Sequence, residues 1–195
     1  MSYKILIAIV LANLLSVSYA IDNPVLPPSM PPESNEPLSS ADPYQYCFKN
    51  STWIVPPQTL LAYLYDNANF TPVSDQTVWV ISSYNHGYFT GQSYTSLSNS
   101  VLSQRYLIGS VTSEGKVYIT FYSGTSSRTD LVTGIGDLHV KSSGQCSFIM
   151  QMNSGQNGVS GLIHWSYMIP VKPGDVFYNN LPGTHMSIPQ FLAQF

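Results

Sequence analysis

The stretch Arg105-Tyr106-Leu107-Ile108-Gly109-Ser110-Val111-Thr112-Ser113-Glu114-Gly115-Lys116-Val117-Tyr118-Ile119-Thr120-Phe121-Tyr122-Ser123 decides how this chain folds. Two runs of β-branched and aromatic residues flank Ser113-Glu114-Gly115, a turn signal. In the second run Val117, Ile119 and Phe121 alternate with Tyr118, Thr120 and Tyr122. A period of two puts the first set on one face of a strand and the second set on the other. Two such runs across a short turn predict an antiparallel hairpin.

The same pattern extends in both directions. Strands are predicted at Thr52 to Val55, Thr77 to Ser83, Tyr88 to Thr95, Leu131 to Val140, Cys146 to Met152 and Leu162 to Val171. Asn85-His86-Gly87 reads as a turn, and Leu60 to Tyr65 as either a strand or a single helical turn. In the last strand Ile163, Trp165, Tyr167 and Ile169 alternate with Leu162, His164, Ser166 and Met168. No amphipathic helix of useful length is present. The tail, Ile188 to Phe195, reads as a short helix or as a segment packing Phe191, Leu192 and Phe195 onto the barrel end. Strands spaced by roughly 8–12 residues imply a sandwich or a barrel. We take the fold to be all-β, a small antiparallel up-and-down β-barrel.

Composition narrows the function classes. Of 195 residues only 9% are charged, against about 25% in an ordinary domain. Lys+Arg is 7 and Asp+Glu is 10, a formal charge of -3. Nucleic acid is excluded as a partner, because phosphate neutralisation needs clustered cations. Hydrophobic residues make up 44%, enough to bury a core. Both strand faces carry bulky residues, and Tyr and Trp suit protein contacts. A homo-oligomer or a protein-binding face is therefore expected on the outer surface.

Residues 1–20 read as a signal peptide, with Lys4, an apolar run from Ile5 to Leu15, and Ser18-Tyr19-Ala20 before the cut. Residues 21–43 read as a linker carrying Pro24, Pro27, Pro28, Pro31, Pro32, Pro37 and Pro43. Residues 44–195 are the expected β-barrel domain. The apolar run is shorter than the roughly 20 residues of a spanning helix, so no integral membrane span is expected. The protein is expected to be secreted or periplasmic. Its two cysteines, Cys47 and Cys146, are then expected to form a disulfide. Closing so long a loop contributes on the order of 4 kcal/mol. Asn50-Ser51-Thr52 and Asn69-Phe70-Thr71 match the N-glycosylation pattern.

Signatures of catalysis are missing. There is no G-x-S-x-G, no H-E-x-x-H and no zinc-spaced cysteine cluster, so no catalytic residue, metal or cofactor is assigned and the protein is not expected to be an enzyme. Asp137 and His139 share a strand face and read as a surface hydrogen bond. His164 reads as a hydrogen-bonded barrel histidine. Ser93, Thr95, Ser110, Thr120, Ser126, Thr133 and Gln151 sit in or beside strands. Such hydroxyls and amides build a small-molecule site when they face a barrel mouth, and are ordinary surface groups when they face water.

The order of several segments resembles the avidin and streptavidin family of calycin barrels over about residues 50–180. The segments are Ser51-Thr52-Trp53, Phe89-Thr90-Gly91-Gln92-Ser93-Tyr94, Arg105-Tyr106-Leu107-Ile108-Gly109, Met150 to Gly155, and His164-Trp165 through Gly174-Asp175-Val176-Phe177. The resemblance implies a ligand-binding barrel. By position it implies that Ser93 or Tyr94, with Ser96 and Asp175, would contact a biotin-like ureido group. Trp165 would be lent to a neighbouring subunit. Val132 and Met150 stand near the places of two further pocket tryptophans, so the resemblance implies the fold more than the ligand. The expected function is a non-enzymatic small-molecule-binding barrel. The alternatives are a protein-interaction module or homo-oligomer with a filled barrel and, third, an enzyme on the same scaffold.

Overall fold

A computed structural model describes residues 42, 44–66, 69–123, 132–156 and 160–195. The expected signal peptide, the linker apart from Asp42, and Ser126 lie outside the described residues. Nine strands follow one another: β1 (Thr52–Ile54), β2 (Leu61–Asp66), β3 (Asn69–Asn85), β4 (Tyr88–Leu97), β5 (Val101–Val111), β6 (Lys116–Tyr122), β7 (Val132–Val140), β8 (Cys146–Gln156) and β9 (Ser160–Val171). All pairings are antiparallel, from β2–β3 through β8–β9 in chain order. β1 and β2 both lie between β3 and β9 and share one position in the wall. The sheet therefore closes on itself as an eight-position up-and-down barrel, as the sequence pattern implies.

The hairpin at residues 105–123 forms as expected, with Val111 opposite Val117. Val117, Ile119 and Phe121 face the core, while Tyr118 and Tyr122 are exposed. The β3–β4 turn uses His86 and Gly87 with φ of 47° and 84°. Two positive φ values in a two-residue loop are what a type I′ turn demands. Leu60 to Tyr65 resolves in favour of a strand, beginning one residue later.

One end of the barrel is plugged. A short helix, α1 (Gln45–Phe48), lies across the turns that join the strands there. Phe48 stacks on Phe89, Trp53 and Tyr84, with ring centroids 4.4, 5.5 and 5.8 Å away. The Asp42 carboxylate accepts from the Tyr44 amide and the Tyr84 hydroxyl, at 3.0 and 2.7 Å. Burial and this carboxylate push the Tyr84 phenol well above its usual range. Cys47 and Cys146 are joined as expected, with Cα atoms 5.8 Å apart across 99 residues of chain. Below the plug, Trp53, Trp79 and Phe148 fill the interior. Inward-facing glycines make room for neighbours: a Cβ on Gly109 would collide with the Phe89 ring, and one on Gly134 with the Met150 sulfur.

The C-terminal residues form the expected short helix at Ile188–Leu192. They pack against the outer wall over β1, β3, β4 and β9, not onto the barrel end. Leu181, Ile188 and Phe191 form a second core with Ile54, Val78 and Val171. This segment holds two short helices, α2 (Val176–Asn179) and α3 (Ile188–Leu192). The start of α3 is fixed by a capping box between Ser187 and Gln190. The outer faces of β1 and β3 are apolar because this segment covers them.

The disulfide ties the plug to β8 across a long loop. Cys47→Ala with Cys146→Ala is expected to lower unfolding free energy by about 4 kcal/mol. Urea denaturation of the double variant beside the parent checks this.

Candidate functional site

The opposite half of the barrel is built around a break in its first strand. Val55-Pro56-Pro57 follows β1, and a proline has no N–H to give to a ladder. A 3-10 turn, Pro57–Thr59, spans the gap before β2 begins. The neighbouring strands would be left with unpaired backbone groups, and side chains take the place of the missing ladder. Thr59 Oγ1 accepts from the Tyr167 amide at 3.2 Å and donates to the Tyr167 carbonyl at 3.1 Å. On the other side the Gln76 amide donates to the Val55 carbonyl at 3.2 Å and accepts from the Gly183 amide at 2.8 Å.

A buried ionic chain crosses the interior at the same level. His164 Nε2 lies 2.7 Å from the Thr59 carbonyl, and Nδ1 lies 2.8 Å from the Asp75 carboxylate. Both partners are acceptors, so the arrangement is fully satisfied when both ring nitrogens donate, which favours the imidazolium. The side chains of His164 and Asp75 are 0% exposed. Burial works against the charge, but the hydrogen bond and charge of Asp75, with the Thr59 carbonyl, outweigh it and raise the His164 pKa. Thr77 Oγ1 donates to the other Asp75 oxygen at 2.6 Å and lies 2.7 Å from Thr95 Oγ1. Thr77 is then the acceptor from Thr95. Four segments are joined by this chain: the 3-10 turn, β9, β3 and β4.

Above it lies a cavity of about 590 Å³, within the size range of ligand sites. Its apolar walls include Leu64, Leu97, Phe121, Val132, Met152 and Leu162. Its polar side carries Ser93, Thr95, Ser103 and Arg105, with Asp75 at the floor and the exposed Asp66 also in the lining. Ser93 stands opposite Arg105, and Thr95 opposite Ser103, in the β4–β5 register. Small polar side chains on these two strands leave the space that Trp79 and Phe89 occupy nearer the plug.

The structure brings only part of the expected constellation together. Ser93 faces the cavity. Tyr94 and Ser96, one and three residues on, point to the outer wall: Tyr94 packs with the C-terminal segment and its hydroxyl donates to Gln92, and Ser96 is buried opposite Gln76. Asp175 caps the turn after β9, accepting from the Lys172 amide at 2.9 Å. Trp165 is outside and 64% exposed. Of the other polar candidates, Thr95 lines the cavity, whereas Ser110, Thr120, Thr133 and Gln151 alternate outward. Asp137 pairs with Lys116. Asn50 and Asn69 are both exposed.

Asp75, Thr59, Gln76 and Arg105 escaped the sequence reading as site residues. For Asp75 the signal was the alternation from Trp79 back through Thr77, which puts its carboxylate on the inner face. Among the described residues, no helix is long and apolar enough to cross a membrane. No group of three or more His, Cys, Asp or Glu among them is placed to hold a metal ion. Comparison of the chain with protein-family profiles, curated proteins and solved structures finds no match.

The pair makes stability pH-dependent. A folded-state pKa raised above the ordinary 6.5 contributes stability in full below about pH 6.5. That contribution is lost as pH rises through the folded value. Urea midpoints measured from about pH 6 to about pH 9 are expected to fall for the parent and to flatten in His164→Gln. Asp75→Asn leaves the imidazolium without a counter-charge and is expected to cost about 3–5 kcal/mol at pH 6.

Proposed function

We propose that this protein is a non-enzymatic binder of a small amphipathic molecule, held non-covalently in the open half of the barrel. The carrying observation is the cavity: apolar walls on one side, and Ser93, Thr95, Ser103 and Arg105 on the other. That division suits a ligand with a compact apolar body and a head rich in hydrogen-bond acceptors, one of them meeting Arg105. The Asp75 carboxylate is neutralised by His164 within the protein, so the floor does not repel such a head. A disulfide points to an oxidising compartment, which agrees with a secreted or periplasmic protein.

Biotin is one molecule of this shape, and the avidin-like order of segments supports testing it. In this barrel it would meet Ser93 and Thr95 rather than Tyr94, Ser96 or Asp175. Its carboxylate would suit Arg105.

Anilinonaphthalene sulfonate, an apolar ring system with an anionic head, is the first probe, and biotin the second. Anilinonaphthalene sulfonate is expected to bind one per barrel and to raise the melting temperature, since a ligand of the native state alone must stabilise it. Arg105→Gln is expected to weaken it about tenfold, or ~1.4 kcal/mol. Leu162→Trp, which fills the cavity, is expected to abolish binding. Dye binding unchanged by Leu162→Trp would sink the reading. Biotin titrated by calorimetry then separates a ureido ligand from a general amphipathic one.

A further inference from the structure

The Asp75–His164 pair does more than help to bridge the break, because one of its members also lines the cavity. Asp75 forms the floor, and His164 holds it from β9. The imidazole sits between two acceptors, the Asp75 carboxylate at 2.8 Å and the Thr59 carbonyl at 2.7 Å. A charged ring satisfies both, but a neutral ring has one N–H and one lone pair. Losing the proton therefore sets a lone pair against an oxygen, on whichever side it falls. It also leaves the carboxylate as an uncompensated charge, with both side chains 0% exposed. Thr77 gives Asp75 one further hydrogen bond, but no charge.

We propose that this pair is a proton switch beneath the ligand: with His164 charged the floor is neutral and accepts an acceptor-rich head, and with His164 neutral the floor is anionic and expels it. The switch presupposes that the cavity is a ligand site. His164 meets Asp75 from β3, the Thr59 carbonyl from the 3-10 turn, and the uncharged Met152 across β8. The cavity adds Tyr65 and Asp66 from β2 and Arg105 from β5, while β4 contributes hydroxyls but no charge. Of these residue types only histidine ordinarily changes charge between pH 5 and 8. Burial lowers the His164 pKa, but Asp75 and the Thr59 carbonyl outweigh it, so the change falls above the ordinary 6.5. By linkage, a head held at the floor favours the charged ring, and its binding takes up protons.

Anilinonaphthalene sulfonate tests the switch, because its sulfonate stays charged from about pH 6 to about pH 9. The binding that counts is the part removed by Leu162→Trp. Its dissociation constant is expected to rise about tenfold across that range, as the competent form becomes the minor one. Calorimetry of the parent near the midpoint of this change, in two buffers of different ionisation enthalpy, is expected to show proton uptake on binding. Asp75→Asn with His164→Gln exchanges the ionic pair for two amides. This double variant is expected to bind with no pH dependence and no proton uptake. His139→Gln, at an exposed position of β7, is expected to keep the parent's pH dependence. Near-ultraviolet circular dichroism confirms that each protein is folded at each pH. Equal affinity at both ends of the range, or binding without proton uptake, overturns the switch and leaves the ligand site standing. A double variant that keeps the parent's pH dependence overturns it too. A parent that binds no dye at any pH overturns the ligand site and the switch together.

Discussion

The break at Pro56-Pro57 is the constraint on which the functional half of this barrel depends. A closed sheet needs every strand position occupied, and two consecutive prolines cannot supply the amides for one of them. Each buried backbone group left alone would cost about 1–3 kcal/mol. The gap is therefore bridged from three directions: Thr59 toward β9, Gln76 toward the break and the C-terminal segment, and His164 toward the Thr59 carbonyl. A cationic His164 inside the barrel requires a buried anion, and Asp75 supplies it. The members of this set are not independent. Removing one partner leaves the other as a desolvated charge, a worse state than losing both.

That patch divides the barrel into two halves of different character. On the plugged side, Phe48, Trp53, Trp79, Phe89 and Phe148 fill the interior, and α1 is fastened over them by the disulfide. On the other side, the inward positions of β4 and β5 include Ser93, Thr95, Ser103 and Arg105. An eight-position barrel is just wide enough for large side chains to fill, so a layer of serines and threonines leaves space. The cavity follows from side-chain volume, and its polarity from the same residues. The ionic chain then serves as a rigid floor between a packed half and an open one.

Most of the wall was legible in the sequence, because period-two alternation survives wherever one face is buried and the other is not. β6, with Val117, Ile119 and Phe121 inside, is the clearest case. Legibility failed where burial and polarity part company. β3 runs from Asn69 to Asn85, yet only its second half reads as a strand. Its first half contains Pro72, Ser74, Asp75 and Gln76, residues that ordinarily mark turns. Pro72 fits because that part of β3 pairs only with β2. Asp75 and Gln76 fit because partners distant in sequence, His164 and Gly183, satisfy them. The same limit applied to the site. Ser93 was recognisable as a polar residue in a strand, but Tyr94 and Ser96 differ from it by odd steps and so face the other way. A carried-over motif fixes the strand, and parity decides which of its residues meet the ligand.

Parity also accounts for the scarcity of charge. Only 9% of the chain is charged, and little of that lies on the outer faces of β4 to β8. The barrel has no open edges, so closure already protects it from edge-to-edge pairing. What remains exposed is a field of tyrosines, isoleucines and small hydroxyl residues. β5 and β6 carry this field on one side and the cavity on the other: Arg105 faces in where Tyr106 faces out, and Phe121 faces in where Tyr122 faces out. A contact that stiffens these strands from outside therefore acts on the positions of Ser103, Arg105 and Phe121 within. The wall of the cavity is thus also the wall of the outer apolar field. The two surfaces cannot vary independently, since every one-residue slip in register would exchange them.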